Sequence, residues 1–251
     1  MSKFPERWVL LPRPRPAARL TLLCFPFAGG GTAAYREWPK ALPPEVEVGL
    51  VQLPGRERRL QEAPMTSLTA LVETLAEQLS PALSERPFAF FGHSMGALIC
   101  YELARHLQSE YGLAPAHLFL SAHRAPSVPR RTALIHHLPD DAFKARLLEL
   151  NGTPAEVMEH EELMALLLPL FRADFTLCET YQPTAPVPLD LPISVFGGLS
   201  DPEMPEPDLA PWRDFTRGPF SLRMYPGDHF YLKAAQPELW QAILQDLKAA
   251  L

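Results

Sequence analysis

The 251-residue chain has only three cysteines, Cys24, Cys100 and Cys178. They are far apart, set in apolar or mixed segments, and show neither metal-ligand spacing nor a disulfide framework. That pattern describes small core residues in a reducing cytoplasm. No apolar run approaches the ~18 residues of a membrane span, and the start, Met1 to Trp8, lacks the apolar core of a secretion signal. A basic surplus is missing too: 23 Lys and Arg against 29 Asp and Glu leave a net charge of −6. Nucleic-acid binders carry the opposite balance, so neither a nucleic acid nor a membrane is an expected partner. Internal repeats and low-complexity tracts are absent. Proline is plentiful, with 29 residues, most of them at segment edges where they punctuate loops. At 47% hydrophobic and 21% charged, the chain suits a single domain over 1–251 with a sizeable core.

Apolar runs at Leu20–Phe25, Val46–Leu53, Pro87–Phe91 and Leu118–Ser121 read as buried strands. Between them, Leu68, Leu71, Val72, Leu75 and Leu79 fall at helical spacing, and a second helix follows Gly96 and stops near Gly112. Strands alternating with helices predict an α/β fold with a mostly parallel sheet and helices on both faces. The rhythm breaks over 127–188, which reads as helices with no clear strand. There Asp140 or Asp141 is placed to cap a helix ended by Asn151-Gly152. Thr153-Pro154-Ala155-Glu156 forms a capping box, and Leu163–Phe171 is apolar nearly all round and interrupted by Pro169. This stretch is expected to be a helical lid inserted into the domain. Strands resume at Ile193–Gly198 and Phe220–Tyr225, and a last helix from Pro237 aligns Trp240, Ile243, Leu244, Leu247 and Leu251.

Chemistry centres on Gly92-His93-Ser94-Met95-Gly96, where a strand meets a helix. That is the layout of a nucleophile elbow, in which a strained turn holds a serine Oγ clear of the sheet. A serine needs a base, and the base an orienting acid. In α/β-hydrolases these follow in the order Ser, acid, His, each on a loop leaving the carboxyl end of a strand. His229 and Asp201 meet that order, with Asp208 as the substitute acid. The rivals fit less well: His93 lies inside the elbow, and His106 and His117 flank a helix. His136, His137 and His160 fall in the lid and read as solvated, His123 precedes any acid of the right order, and Asp174 is lid-borne. Backbone N–H groups of Met95 and of Ala28, in the Gly-rich loop Pro26–Gly31, are the candidate oxyanion donors. Without a Gly-Lys-Ser/Thr or a complete Gly-x-Gly-x-x-Gly, that loop is no nucleotide cradle.

Several segments, in order, resemble the type II thioesterases of polyketide and nonribosomal peptide biosynthesis. They are Leu23–Gly30, Leu53–Glu57, Phe91–Ala97, His137–Asp140, Arg172–Phe175, Gly197-Gly198 with Asp201-Pro202, and His229–Leu232. The resemblance implies an α/β-hydrolase that frees stalled or wrong acyl groups from the phosphopantetheine arm of acyl or peptidyl carrier proteins. It also implies a Ser94, Asp201, His229 triad, no cofactor or metal, and a monomer in the cytoplasm. One departure is Gly227-Asp228, where relatives often carry Gly-Gly before the histidine. For an acidic carrier, Arg56, Arg58 and Arg59, or Arg124, Arg130 and Arg131, are candidate docking groups, against the alternative of solvated loop arginines. An acyl-CoA thioesterase, a carboxylesterase or lipase, an acyltransferase, and a lidded small-ligand receptor with an idle triad remain alternatives.

Overall fold

The computed structural model describes residues 4–150, 152, 155–183 and 187–251. Seven strands make one sheet: β1 (Val9–Leu10), β2 (Leu20–Phe25), β3 (Val46–Val51), β4 (Phe88–His93), β5 (His117–Ser121), β6 (Ile193–Gly198) and β7 (Phe220–Tyr225). Their order is β1-β3-β2-β4-β5-β6-β7. Every neighbouring pair is parallel except β1, which runs antiparallel to β3. The expected α/β-hydrolase architecture is therefore present. β1 was not legible, because two residues are too few to show a period.

Helices α1 (Trp38–Ala41), α2 (Leu68–Leu83), α3 (Met95–His106), α4 (Asp140–Glu149), α5 (Ala155–Met158), α6 (Glu161–Thr180), α7 (Glu206–Leu209) and α8 (Gln236–Leu247) surround the sheet. Strands β2 to β6 are buried along their whole length, which is why they read as continuous apolar runs rather than as alternation. Successive residues still go to opposite faces. Phe90 and Leu120 join Leu71, Leu75, Ile99 and Leu103 of α2 and α3 on one side. Phe91 and Phe119 join Leu239, Ile243 and Leu247 of α8 on the other.

Helices α4, α5 and α6 lie between β5 and β6 and build a small core of their own around Ile135, Phe143, Leu147, Met164, Leu168 and Phe171. Three expectations about this region need correction. Helix α6 runs unbroken through Pro169. Proline deprives the carbonyl four residues earlier, that of Ala165, of its partner; Ala165 and Pro169 are both exposed, so water can serve that carbonyl. The helix is also more amphipathic than it reads, with Leu166 53% exposed. Asp140 and Asp141 sit in the first turn of α4 without capping it; Pro139 is the N-cap, and Asp140 Oδ1 instead accepts from Arg172 Nη2 at 2.6 Å. Asn151 and the capping-box residues Thr153 and Pro154 lie outside the described residues.

The start of α3 approaches β4 and β2 more closely than any side chain allows. A Cβ on Gly92 would overlap the Gly96 carbonyl, and a Cβ on Gly96 would overlap that of Phe25. Both neighbours are backbone and cannot turn aside. Gly92→Ala is therefore expected to cost about 1–3 kcal/mol of stability, a drop of roughly 2–12 °C in Tm for a domain of this size. Thermal unfolding followed by circular dichroism measures it.

Candidate active site

Ser94 joins β4 to α3 at φ 53° and ψ −118°, a conformation that L-residues seldom adopt. Its own N–H donates to Ser121 O at 2.8 Å, tying the turn to the next strand. Met95 is the first residue of α3, so its amide has no intrahelical acceptor and faces the positive end of the helix dipole.

His229 and Asp201 come from the loops that leave β7 and β6. His229 Nδ1 lies 2.7 Å from Asp201 Oδ2, and Asp201, 4% exposed, also accepts Glu203 N at 2.9 Å and Met204 N at 3.1 Å on Oδ1. A carboxylate bonded this way only accepts, so the proton of the pair rests on Nδ1 and Nε2 keeps its lone pair. Asp228, at the departure from Gly-Gly, turns Oδ1 to the amide of Phe230 at 2.8 Å. Gly198 makes room for this loop, since a Cβ there would overlap Asp228 O.

Four amides of the loop after β2 have acceptors, while those of Phe27, Ala28 and Gly31 have none among the described residues. Gly29 N donates to Asp174 Oδ2, Gly30 N to Phe27 O, and Thr32 N and Ala33 N to the Glu57 carboxylate. Ala28 lines the same cavity as Ser94, Met95 and His229. That cavity, about 110 Å³, lies under the helical insertion and is walled mainly by Phe27, Leu147, Phe171, Phe175, Met204 and Phe230.

Two more histidines stand close by. His93, fully buried, bonds Ser121 Oγ through Nδ1 at 2.8 Å, its ring centroid 5.2 Å from that of His229. Burial, then the charge of His229, holds its pKa well below the ordinary value. His123 lines the cavity with Nδ1 on Arg124 O, and burial with the nearby Arg124 lowers it to about 3. Both are neutral at pH 7.

A family model described as a thioesterase domain matches residues 20–249. The chain belongs to the thioesterase family. Its activity class is thioester hydrolysis. Linear gramicidin dehydrogenase LgrE of Brevibacillus parabrevis is 45% identical over 98% of this chain and 95% of that one; the dehydrogenase in that name describes that protein alone. Gramicidin S biosynthesis protein GrsT of Aneurinibacillus migulanus is 43% identical over 98% of this chain and 96% of its own. Among solved structures, the type II thioesterase BorB from the borrelidin biosynthetic cluster is 36% identical, with a TM-score of 0.88 over 96% of this chain and 98% of that one. The expected resemblance to type II thioesterases of polyketide and nonribosomal peptide biosynthesis holds.

Within this thioesterase, several side chains are not where their sequence context suggested. Asp208, the substitute acid, is 1% exposed and held by Arg131 at 2.6 and 2.7 Å, and it does not bond His229. His136 is no solvated lid residue but lies 2.6 Å from Glu179 Oε2, and His160 Nδ1 caps α6 by accepting Leu163 N. The candidate docking arginines are mostly paired within the protein, although Arg131 keeps 63% of its side chain exposed. Arg56 and Arg59 are 5% and 6% exposed, the first paired with Asp174 and the second with Glu62, while Arg58 alone of that trio is exposed. Arg131 neutralises Asp208 and Arg130 lies 3.7 Å from Glu179. Arg124 is half-buried and gives Nε to Val128 O. The partners of Arg56, Arg130 and Arg131 are far away in the chain and invisible to local charge, whereas Glu62 and Val128, which pair with Arg59 and Arg124, lie within four residues of them.

His117, read as a helix flank, is instead the first residue of β5 and buried. It belongs to a second His, Ser, Asp group that sequence reading missed. His117 Nε2 lies 2.8 Å from Ser194 Oγ, and Ser194 Oγ donates to Asp246 Oδ2 at 2.7 Å. Since the serine proton goes to the carboxylate, Nε2 of His117 must donate. Ser194 stands between the two, near the amino ends of the parallel strands, opposite the loops that carry Ser94. Burial pushes His117 down to about 4. The folded state therefore refuses a proton that the unfolded chain accepts below pH 6.5, so this contribution to stability is complete above pH 6.5. It is lost as pH falls toward 4, at up to about 1.4 kcal/mol per pH unit. His117→Gln, which keeps a donor but cannot titrate, is expected to lose less stability than wild type between pH 7 and pH 4.5, as measured by urea unfolding.

Proposed function

We propose that this thioesterase clears acyl groups from the phosphopantetheine arm of acyl or peptidyl carrier proteins, with Ser94 as nucleophile, His229 as base and Asp201 as its orienting acid. The observation that carries the reading is the 2.7 Å bond between His229 Nδ1 and Asp201 Oδ2 beside a serine on a strained strand-to-helix turn. Nε2 of His229 takes the Ser94 proton as Oγ attacks the thioester carbonyl. The amides of Met95 and Ala28 hold the oxyanion, its collapse breaks the C–S bond, the departing pantetheine sulfur takes the proton from His229 Nε2, and an acyl-enzyme remains with His229 neutral again. Water, deprotonated by His229, then releases the acid. A thiol of pKa near 8.5 departs readily, so protonation of the leaving group matters less than in an ester hydrolase. No step calls on a metal or a redox cofactor.

The aromatic and aliphatic walls of the cavity suit an acyl chain, and the position of the helical insertion over it supports a lid role. The names of the relatives, drawn from gramicidin S and borrelidin biosynthesis, support a carrier protein as the source of the thioester. Three unpaired cysteines suit a reducing cytoplasm, and among the described residues no helix is long and apolar enough to cross a membrane. The Ser194 group is the weaker candidate, because its hydroxyl proton is committed to Asp246 and His117 acts as a donor.

Ser94→Ala is expected to lower kcat by at least about 10⁴, and Asp201→Asn by about 10⁴ through loss of the correct tautomer. The check is mass spectrometry of acyl-loaded carrier protein before and after incubation. Unchanged deacylation by Ser94→Ala refutes the site, and turnover of acyl-CoA or p-nitrophenyl esters without turnover of acyl-carrier protein refutes the substrate.

A further inference from the structure

The Gly-rich loop is held from two sides. Glu57, exposed and at φ 48°, takes the amides of Thr32 and Ala33 and the hydroxyl of Thr32. The opposite grip comes from the helical insertion. Asp174, on α6 and 1% exposed, accepts Gly29 N at 2.7 Å and Arg56 Nη1 at 2.9 Å on Oδ2, and Arg56 Nη2 at 2.7 Å on Oδ1. Arg56 Nη1 also donates to Gly30 O at 2.9 Å. Phe171, one turn earlier on α6, covers Gly29 where a side chain would project. Gly29 itself has φ +73°, so the peptide joining it to Ala28 is turned by a conformation that this clamp holds.

From this geometry we infer that Asp174, with Arg56, is a positioning pair that makes the Ala28 oxyanion donor conditional on α6 being seated. The inference rests on the reading of Ser94 as nucleophile and Ala28 as oxyanion donor. Ala28 N lies in the Phe27–Ala28 peptide, whose carbonyl accepts Gly30 N at 2.8 Å, and Gly29 N lies in the next peptide, so the grip on Gly29 anchors the far side of the Ala28 Cα about which the first plane turns. Asp174 touches neither substrate nor reacting atoms. It acts through the backbone and does so from the insertion rather than from the sheet. A displaced insertion removes the carboxylate that holds Gly29 and the ring that covers it, leaving Ser94, His229 and Asp201 in place but one oxyanion donor unfixed. The enzyme then hydrolyses efficiently only with α6 down on the Gly-rich loop. This makes the thioester carbonyl reactive once it is enclosed and lowers wasteful attack while the site is open.

The double variant Arg56→Met with Asp174→Leu removes both buried charges together, the form of change that buried ion pairs tolerate best. The expected result is a folded protein with Tm near wild type, KM for a small acyl-pantetheine thioester within about twofold, and kcat lower by about 10²–10³, the usual loss for one oxyanion donor. Affinity for a trifluoromethyl ketone analogue of the thioester, which presents a tetrahedral oxyanion, should fall by a similar factor. Wild-type kcat and analogue affinity in a folded double variant would overturn the inference. A loss of kcat that merely follows the unfolded fraction, with unchanged analogue affinity per folded molecule, would overturn it as well. Should the variant fail to fold, hydrogen exchange on the wild-type enzyme decides: forming the adduct should slow exchange at Gly29 and along α6 near Asp174 together, and no slowing at Gly29 would refute the coupling. Ser94→Ala separates the two readings. If it abolishes turnover while the double variant does not, only the positioning role fails; if it retains turnover, the site itself is wrong.

Discussion

Close contact between the start of α3, the end of β4 and the end of β2 is the constraint on which the rest of the site depends. Only hydrogen fits at Gly92 and Gly96, because the atoms they would strike are backbone carbonyls. That contact holds Ser94 at positive φ, a strain of order 1–3 kcal/mol. The strain persists because Leu98, Ile99 and Leu103 of the same helix are sealed against the sheet. It also brings the amide of Met95 beside the loop that leaves β2, so one approach of two backbones sets both the proposed nucleophile and the first proposed oxyanion donor. Serine orientation and oxyanion geometry are not independent inventions here.

The second donor has a different kind of support. The insertion keeps its own core, separate from the two that flank the sheet, and several of its links to the body are charged. Arg56 with Asp174, Arg131 with Asp208, and Tyr181 on Glu102 join residues 118, 77 and 79 positions apart. Of these, Arg56 with Asp174 is the ion pair buried on both sides; such pairs add little net stability, since desolvation offsets attraction, yet removing one partner costs about 3–5 kcal/mol. Links of that kind specify one docked arrangement more than they deepen it. Leu177 of α6 also joins the core on one side of the sheet, so the charged links add register to a seam that is partly apolar.

Long-range pairing also separates what was legible in the sequence from what was not. Strands β2 to β6 announced themselves because burial on both faces leaves unbroken apolar runs, and Ser94, Asp201 and His229 stood out because each follows a strand at a Gly or Pro turn. The chain-order rule then needed no coordinates. Arg56 and Arg59 looked like a solvated basic patch because Arg56's partner is 118 residues away and Arg59 lies with its guanidinium 4.0 Å over Trp8. His117 was misjudged by the placing of a strand start, and Pro169 because an exposed helix face tolerates one missing bond. Pattern reveals what a residue's neighbours in the chain demand. It is silent on partners supplied by folding, and the grip of Asp174 on Gly29 is of that second kind.

Burial finally decides which imidazole can do proton chemistry. Three histidines surround the elbow, and proximity alone would leave the base ambiguous. His93 lies within a ring's width of His229, and His123 lines the same cavity. Accepting the serine proton creates an imidazolium, and a buried imidazolium without an anion is expensive. His93 has a serine hydroxyl on Nδ1 and His123 a backbone carbonyl. Neither neutral partner offsets a full positive charge, and burial holds both pKa values down. His229 has the Asp201 carboxylate at 2.7 Å, so its charged form is compensated as it appears. The proposed role of His229 as base therefore rests on a counter-ion that the other two rings lack.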